Sequence, residues 1–418
     1  MIEQSIRYAL PYIYFMFFLL VMLGIELNLR KYQHRTDYLC MLVMVAFACF
    51  FGLKGFVGHD NIFFYNAFED WPVLQNFHGF GNTKDGTLYE PGYTFASILA
   101  KTVGMSFWQF QFLGSAIDAI ILYHVFRREA PIFTLALIIY IAMGGMLLHL
   151  EQIRNQHGVV LFMYALKYVR EKRPVPYFLI CGFAILMHYT SVIYFVAYPV
   201  LAMELSKRTK ITIVVICLLV FFLQIHYIDG FMSLMYKFSG PSIQDKIERY
   251  FRGELLVSNY VFSVRHVIML MSVYFFIIAP EKFGFDKIDN TLQNVFLASV
   301  VTVFGFCELN VLENRLSQLF IVGIAALYPR MLVSIPVKLY RQLIALVMIG
   351  YSFMRVASAM KPYYFEYHTS FQVTKDGQQK KWEEYCRFVK LTTDEAHKVR
   401  ATQAVKAKTL DQLKRDSK

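Results

Sequence analysis

The sequence predicts an all-α polytopic membrane protein of about twelve transmembrane helices, with an outward re-entrant or interfacial helix near residues 92–104. Three observations predict it. Hydrophobic residues make up 57% of the 418 and charged residues only 17%, where a soluble domain carries about 25% charged. Mean hydropathy is +0.42. The apolar residues fall into runs approaching the roughly 20 residues that cross a bilayer. This composition excludes a disordered chain, a coiled coil and a disulfide scaffold, and argues against an ordinary soluble enzyme. A net charge of +12 would suggest nucleic acid in a soluble protein. Here the basic residues cluster between apolar runs, as cytoplasmic membrane flanks do, so no nucleic-acid partner is expected.

Taken in order, apolar runs place spans at 8–27, 38–54, 106–126, 132–149, 154–170, 175–187, 189–203, 211–228, 261–280, 290–308, 315–334 and 341–358. The runs 175–187 and 189–203 are short. They read as two spans, one long tilted helix or a re-entrant hairpin. Residues 92–104 are apolar but too short to cross. The chain divides into a polytopic domain over 1–360 and a basic soluble tail over 361–418, with 13 Lys/Arg and 8 Asp/Glu. Neither repeat halves nor Gly- or Pro-broken central helices stand out. The N-terminus does not read as a cleaved signal peptide. Six cysteines without a CxxC pair read as small apolar residues, with no metal site.

Lys and Arg in short loops set the orientation. One set of loops carries fifteen, among them Arg127, Arg128, Arg170, Arg173, Lys207 and Arg208, against seven in the alternate set. The first set is therefore cytoplasmic. The N-terminus and the loops around 55–91, 149–154, 188, 229–260 and 308–315 face outward, and an even number of spans puts the tail there too.

Four outward places hold residues that could carry chemistry. In the first loop, Gly58 precedes His59-Asp60-Asn61 and Tyr65. A glycine there can turn the chain sharply and aim Asp60 back at the membrane. Further on, Glu90 precedes Pro91 at the start of the short helix, and Tyr93 follows. The alternative is a polar loop with ordinary turn residues. In the stretch 151–157, Glu151 and Asn155 stand one helical turn apart, and Arg154 offers a planar fork suited to phosphate. The alternative is a structural Arg–Glu pair. His188 interrupts an apolar run, which more often means a satisfied structural residue than a catalyst, although histidine titrates near neutral pH. Arg315 opens a late apolar run, again with a possible Glu partner nearby. Arg154 and Arg315 are isolated at the outer ends of apolar segments, where an ionisable residue suggests function. Arg249 and Arg252, in the loop 229–260, are weaker candidates for a glycan or an anionic lipid head.

Together these residues resemble the EpsG family of bacterial polysaccharide polymerases, within the broad Wzy-like class. The resemblance rests on Gly58-His59-Asp60 with Tyr65, Glu90-Pro91-Gly92-Tyr93, Arg154, His188-Tyr189-Thr190-Ser191, Arg315 and Tyr363-Tyr364-Phe365, over roughly residues 1–367. It implies a glycosyltransferase of the bacterial inner membrane with its active site facing the periplasm. The substrates would be polyprenyl-pyrophosphate-linked oligosaccharide repeat units, joined into capsule, exopolysaccharide or O-antigen. Membrane lipid, a flippase and a chain-length regulator would be its partners. Arg154 and Arg315 would bind the pyrophosphate. Asp60, His188 and Glu90 are the catalytic candidates, with Asp60 the favoured base, and Tyr65, Tyr93, Arg249 and Arg252 would contact glycan. A lipid-linked donor implies no metal and no cofactor. Two other classes stand beside this one: a lipid-linked saccharide transporter or flippase, which needs no base, and a membrane acyltransferase modifying a surface glycan, which would need more than the lone His188.

Overall fold

A computed structural model describes residues 2–30, 33–80, 89–225, 227, 234–238, 260–285, 288–308, 310–384 and 386. Among these residues the regular structure is helical, apart from an isolated bridge between Lys54 and Thr369. The helices are α1 (Ile2–Leu29), α2 (Gln33–Gly52), α3 (Asp60–Asp70), α4 (Pro91–Thr102), α5 (Phe107–Glu129), α6 (Phe133–Glu151), α7 (Ile153–Arg170), α8 (Pro174–Met187), α9 (Ile193–Ala202), α10 (Lys207–Phe222), α11 (Val264–Ile278), α12 (Asn290–Val300), α13 (Asn310–Leu319), α14 (Val322–Ser334) and α15 (Lys338–Ala359).

Each predicted span is helical over most of its length, and the short apolar run after Pro91 is the helix α4. By length and composition, three described helices suffice to cross a membrane: Ile6–Leu29 of α1, α6 and α15. A fourth is added if the end of α13 and α14, bent by 52° at a short break, act as one span. The expected count of about twelve is not reached by this measure, because the other helices are shorter or less apolar. The runs 175–187 and 189–203 are two helices. His188 is extended between them (φ −155°, ψ 123°).

Helix α6 is the hub. Within its most apolar stretch 89% of residues are buried, against 33% for α1 and 22% for α15. The outer faces of those rim helices expose Tyr14, Phe17 and Val21 on α1 and Leu343, Leu346 and Val347 on α15. In water such a belt would cost about 25 cal/mol per Å². In lipid it costs little, which is why the sequence can afford it.

The two ends of the bundle differ in chemistry. At one end the buried Glu26 accepts hydrogen bonds from the N–H groups of Phe133 and Thr134 at 2.7 and 2.8 Å, capping α6. Nearby, buried Glu129 pairs with Arg128, Arg170 and Arg330, and Asp289 joins Arg170 at 2.7 Å. Loops assigned to the cytoplasm thus converge on one end. The opposite end gathers the described parts of the loops around 55–91, 149–154 and 188. There α3, α4 and the start of α5 build a separate aromatic cluster around Phe64, Trp71, Tyr93 and Phe107.

The segment after α15 returns to that same end. Tyr12 Oη donates to the Phe365 carbonyl at 2.6 Å, Gly58 N–H to Tyr364 at 2.7 Å, and Gly55 N–H to His368 at 2.8 Å. Residues from 387 onward lie outside the described residues.

Three π-turns occur among the described residues, at Ile141–Gly145 within α6, at Tyr274–Ile278 closing α11 and at Val301–Gly305 directly after α12. The first contains Gly144 at φ +150°, where an added Cβ would lie 2.9 Å from Gln318 Cγ. The central helix is therefore broken at a glycine, contrary to the expectation of unbroken central helices. The apolar runs around Gly144 concealed this, since hydropathy does not register a positive φ.

Candidate active site

The site forms where two helix ends meet. Gln152 (φ −97°, ψ 57°) interrupts the chain between α6 and α7. The polar stretch 151–157 is therefore not one helix. Glu151 closes α6, while Arg154 and Asn155 lie in the first turn of α7, so Glu151 and Asn155 do not stand one turn apart on a single helix as the sequence suggested. The N-terminus of α7 presents unpaired N–H groups and partial positive charge to this end of the bundle.

Arg154 finds its carboxylate on another element. Glu90 precedes α4, with Pro91 at the first helical position, and it does not cap its own helix. Instead Glu90 Oε2 is ion-paired to Arg154 Nη1. Glu90 Oε1 meets His188 Nδ1 at 2.8 Å and accepts from the Tyr189 N–H at 3.3 Å. Burial raises the Glu90 carboxyl, but the His188 hydrogen bond and the Arg154 charge outweigh it, and the net value falls to about 2. An ionised carboxylate only accepts, so Nδ1 of His188 carries the proton. In neutral His188 the other ring nitrogen, Nε2, is then an acceptor. Glu90, ionised and engaged by three donors, is suited to orienting its neighbours and is a poor base. The Arg154 guanidinium also lies 4.9 Å from the Tyr89 ring centre and 5.2 Å from that of Phe64.

Asp60 opens α3 on the other side of the break. Gly58 takes φ +81° and delivers the chain directly against Glu151, whose Oε1 accepts from the His59 N–H at 3.2 Å. Asn61 Nδ2 donates to the Leu150 carbonyl at 2.9 Å and to that of Val57, tying the start of α3 to the end of α6. The His59 ring lies 3.9 Å from that of Tyr364. Asp60 is half-buried. Burial raises its carboxyl above the ordinary value, against the opposing charges of Arg315 and then Arg154.

Helix α13 forms the far wall. Arg315 is exposed and acts on Asp60 across space, and no ion pair joins it to a described residue. The nearby Glu313 pairs instead with Arg265 of α11 at 2.5 Å. Gln152 Nε2 donates to Gln318 Oε1 at 2.7 Å, bridging the helix break and α13.

Five predicted site residues, Asp60, Glu90, Arg154, His188 and Arg315, thus come from five separate segments that converge at one end. Tyr65 packs in an aromatic group with Phe56, Phe107 and Trp108. Tyr93 is 1% exposed, with its ring among Phe64, Trp71 and Phe110. Arg249 and Arg252 lie outside the described residues. Among the described residues no three His, Cys, Asp or Glu side chains are grouped to hold a metal.

A family model, the EpsG family, matches residues 37–369, a range that contains every site residue named above. The chain belongs to the EpsG family. No curated protein and no solved structure matches it. Membership connects the chain with polysaccharide biosynthesis, in the general sense of a polymerase-like function. In this EpsG-family chain the sequence reading missed Gln318, and gave no role to Asn61, Glu151 or Gln152 within the polar stretches it singled out. The stretch 151–157 signalled something there by its polarity. The partners of these residues on other helices lie 89 to 166 positions away, and no spacing rule reaches that far.

Proposed function

We propose that this EpsG-family protein is an inner-membrane glycosyltransferase that polymerises polyprenyl-pyrophosphate-linked oligosaccharides at the periplasmic face. One observation carries the reading: an acidic residue, Asp60, with its carboxyl raised by burial, faces the charges of Arg315 and Arg154. A hydroxyl of the acceptor glycan attacks the anomeric carbon of the donor glycan. The new C–O bond forms as the bond from that carbon to the donor's pyrophosphate oxygen breaks. The hydroxyl proton passes to Asp60, and the bonding electron pair leaves with the polyprenyl pyrophosphate. Arg154 and Arg315 stabilise the charge that develops there, an effect worth several kcal/mol where water is scarce. Glu90 holds Arg154 and the His188 tautomer, and Nε2 of His188 is left to hydrogen-bond the acceptor.

The product would enter capsule, exopolysaccharide or O-antigen, and a flippase and a chain-length regulator would work beside it. The test is elongation of a purified lipid-linked repeat unit by the purified protein. Asp60→Asn should lower turnover about 10²- to 10⁴-fold while substrate still binds. Near-normal turnover would remove Asp60 as base.

The glycine break in α6 favours a second reading, a transporter of lipid-linked saccharide, since transporters place substrate at broken helices. A transporter would move the substrate across proteoliposomes without elongating it, and Asp60→Asn would leave that movement intact.

A further inference from the structure

Beside the break at Gly144 lies a cavity of about 370 Å³ that the mechanism above does not use. It is bounded by α6, α11 and α15, and its polar side chains are Arg265, Tyr351 and Arg355, with Ser263 and Ser358 beside them. Three features mark it as a built anion site. First, its charge is unbalanced. Arg265 is paired with buried Glu313 at 2.5 Å, and Arg355 has no ion pair to a described residue. Arg355 uses Nε on the Ala142 carbonyl at 3.0 Å, which fixes the plane of the guanidinium and leaves its terminal nitrogens for another acceptor. Secondly, the Tyr351 hydroxyl is buried without a hydrogen-bond partner, a costly state unless something fills it. Tyr351 and Arg355 stand one helical turn apart on α15 and so share a face. Thirdly, the mouth is apolar. Val264 and Met354 line it and are 52% and 49% exposed, so it opens toward the same belt that faces lipid. An anion entering there carries an apolar tail.

The position of the cavity selects among such anions. Glu313, which holds Arg265, and Arg315, which faces Asp60, are two residues apart on α13 and so point about 200° apart around it. The cavity and the Asp60 site therefore lie on either side of one helix. Gly144 is seven residues before Glu151, or roughly 10 Å deeper along α6. A polymerase handles two lipid-linked substrates. The donor's pyrophosphate is at the reacting carbon, next to Asp60. The acceptor reacts at the far end of its oligosaccharide, so its own pyrophosphate must be held away from Asp60 and nearer the lipid.

We propose that the cavity between α6, α11 and α15 binds the pyrophosphate of the acceptor, a second polyprenyl-pyrophosphate-linked glycan, through Arg355, Arg265 and the Tyr351 hydroxyl. This rests on the polymerase reading for the role of the ligand, but not for the site itself.

The experiment uses the full chain in nanodiscs and counts bound polyprenyl pyrophosphate by native mass spectrometry, alongside elongation of a lipid-linked repeat. Wild type should bind two equivalents. Arg355→Ala should weaken one of them about tenfold to a hundredfold and raise KM for the acceptor with little change in kcat at saturation. Tyr351→Phe, which keeps the packing, should move both quantities the same way by less. Arg265 is a poor choice, since its loss would strand Glu313 in the interior. A single equivalent in wild type, or two unweakened equivalents in Arg355→Ala, overturns the proposal. Displacement of the second equivalent by inorganic pyrophosphate alone, or by phosphatidylglycerol at equal concentration, also overturns it, by assigning the cavity to a free anion or to bulk lipid. Failure of the wild type to elongate, with two equivalents still bound and one lost in Arg355→Ala, leaves the site standing and removes the polymerase reading instead.

Discussion

Gly58 rests directly on the side chain of Glu151: a Cβ added at position 58 would lie 2.5 Å from Glu151 Cγ and 2.8 Å from its Oε1. A contact this close joins the first loop to the end of α6, and it sets where α3 begins at Asp60. The glycine is required twice, by the contact and by φ +81°. Gly58→Ala should therefore cost about 1–3 kcal/mol locally and displace α3. The expected result is at least a tenfold loss of elongation, with the protein still inserted and a modest fall in its melting temperature. Unchanged elongation would mean that the placement of Asp60 does not depend on this contact.

Arg154 and Arg315 should respond differently to removal. Arg154 is ion-paired and stacked among aromatic rings, while Arg315 is exposed. Arg154→Ala leaves the buried Glu90 carboxylate without its guanidinium, and should reduce both abundance and activity. Arg315→Ala should leave abundance unchanged and reduce elongation. Its pH profile carries a further sign. Ionised Asp60 is the active form, so turnover rises with pH through the Asp60 value, which burial has raised and Arg315 lowers. Without Arg315 that value climbs, and the acidic limb of kcat should move to higher pH. A limb that stays in place, or moves down, would separate Arg315 from Asp60.

Glu90 makes a prediction about stability. Its carboxyl falls from an ordinary 4.5 to about 2 in the folded protein. A depressed carboxyl stabilises the fold fully above its unfolded value, and this contribution is lost as pH falls through the folded value. Glu90→Gln should therefore melt lower than wild type at neutral pH, and the gap should close between about pH 4.5 and 2. Thermal unfolding in detergent across that range measures it. A gap independent of pH would show that Glu90 acts by shape alone.

Sidedness can be tested by cysteine labelling in whole cells. Substitutions at Gln75 and Glu366 should react with an impermeant reagent, and those at Arg128, Lys172 and Arg208 should not. Because the 363–368 segment is hydrogen-bonded to Gly55 and Gly58, Gln75 and Glu366 must report the same side. If both are protected while Arg128 reacts, the orientation is reversed and the periplasmic reading with it.

The sequence by itself determined the membrane class, the positions of the apolar helices and the family, because each is written locally, whereas α3 lies in a stretch that read as a loop. Apolar runs, basic flanks and short motifs all lie within a few residues of one another. Asp60, Glu90, Arg154, His188 and Arg315 were legible as isolated polar residues at the ends of apolar runs. Only the tertiary structure decided how they associate. Arg154 pairs with Glu90, 64 positions away, and Glu313 pairs with Arg265 rather than serving Arg315. The break inside α6 also escaped the sequence, since the positive φ at Gly144 is a backbone conformation held where Gln318 of another helix packs against it. Hydropathy measures the preference of a side chain for lipid. It carries no information about which distant carboxylate a buried guanidinium will find, and pairing of that kind is settled by the requirement that charges leaving water together must meet.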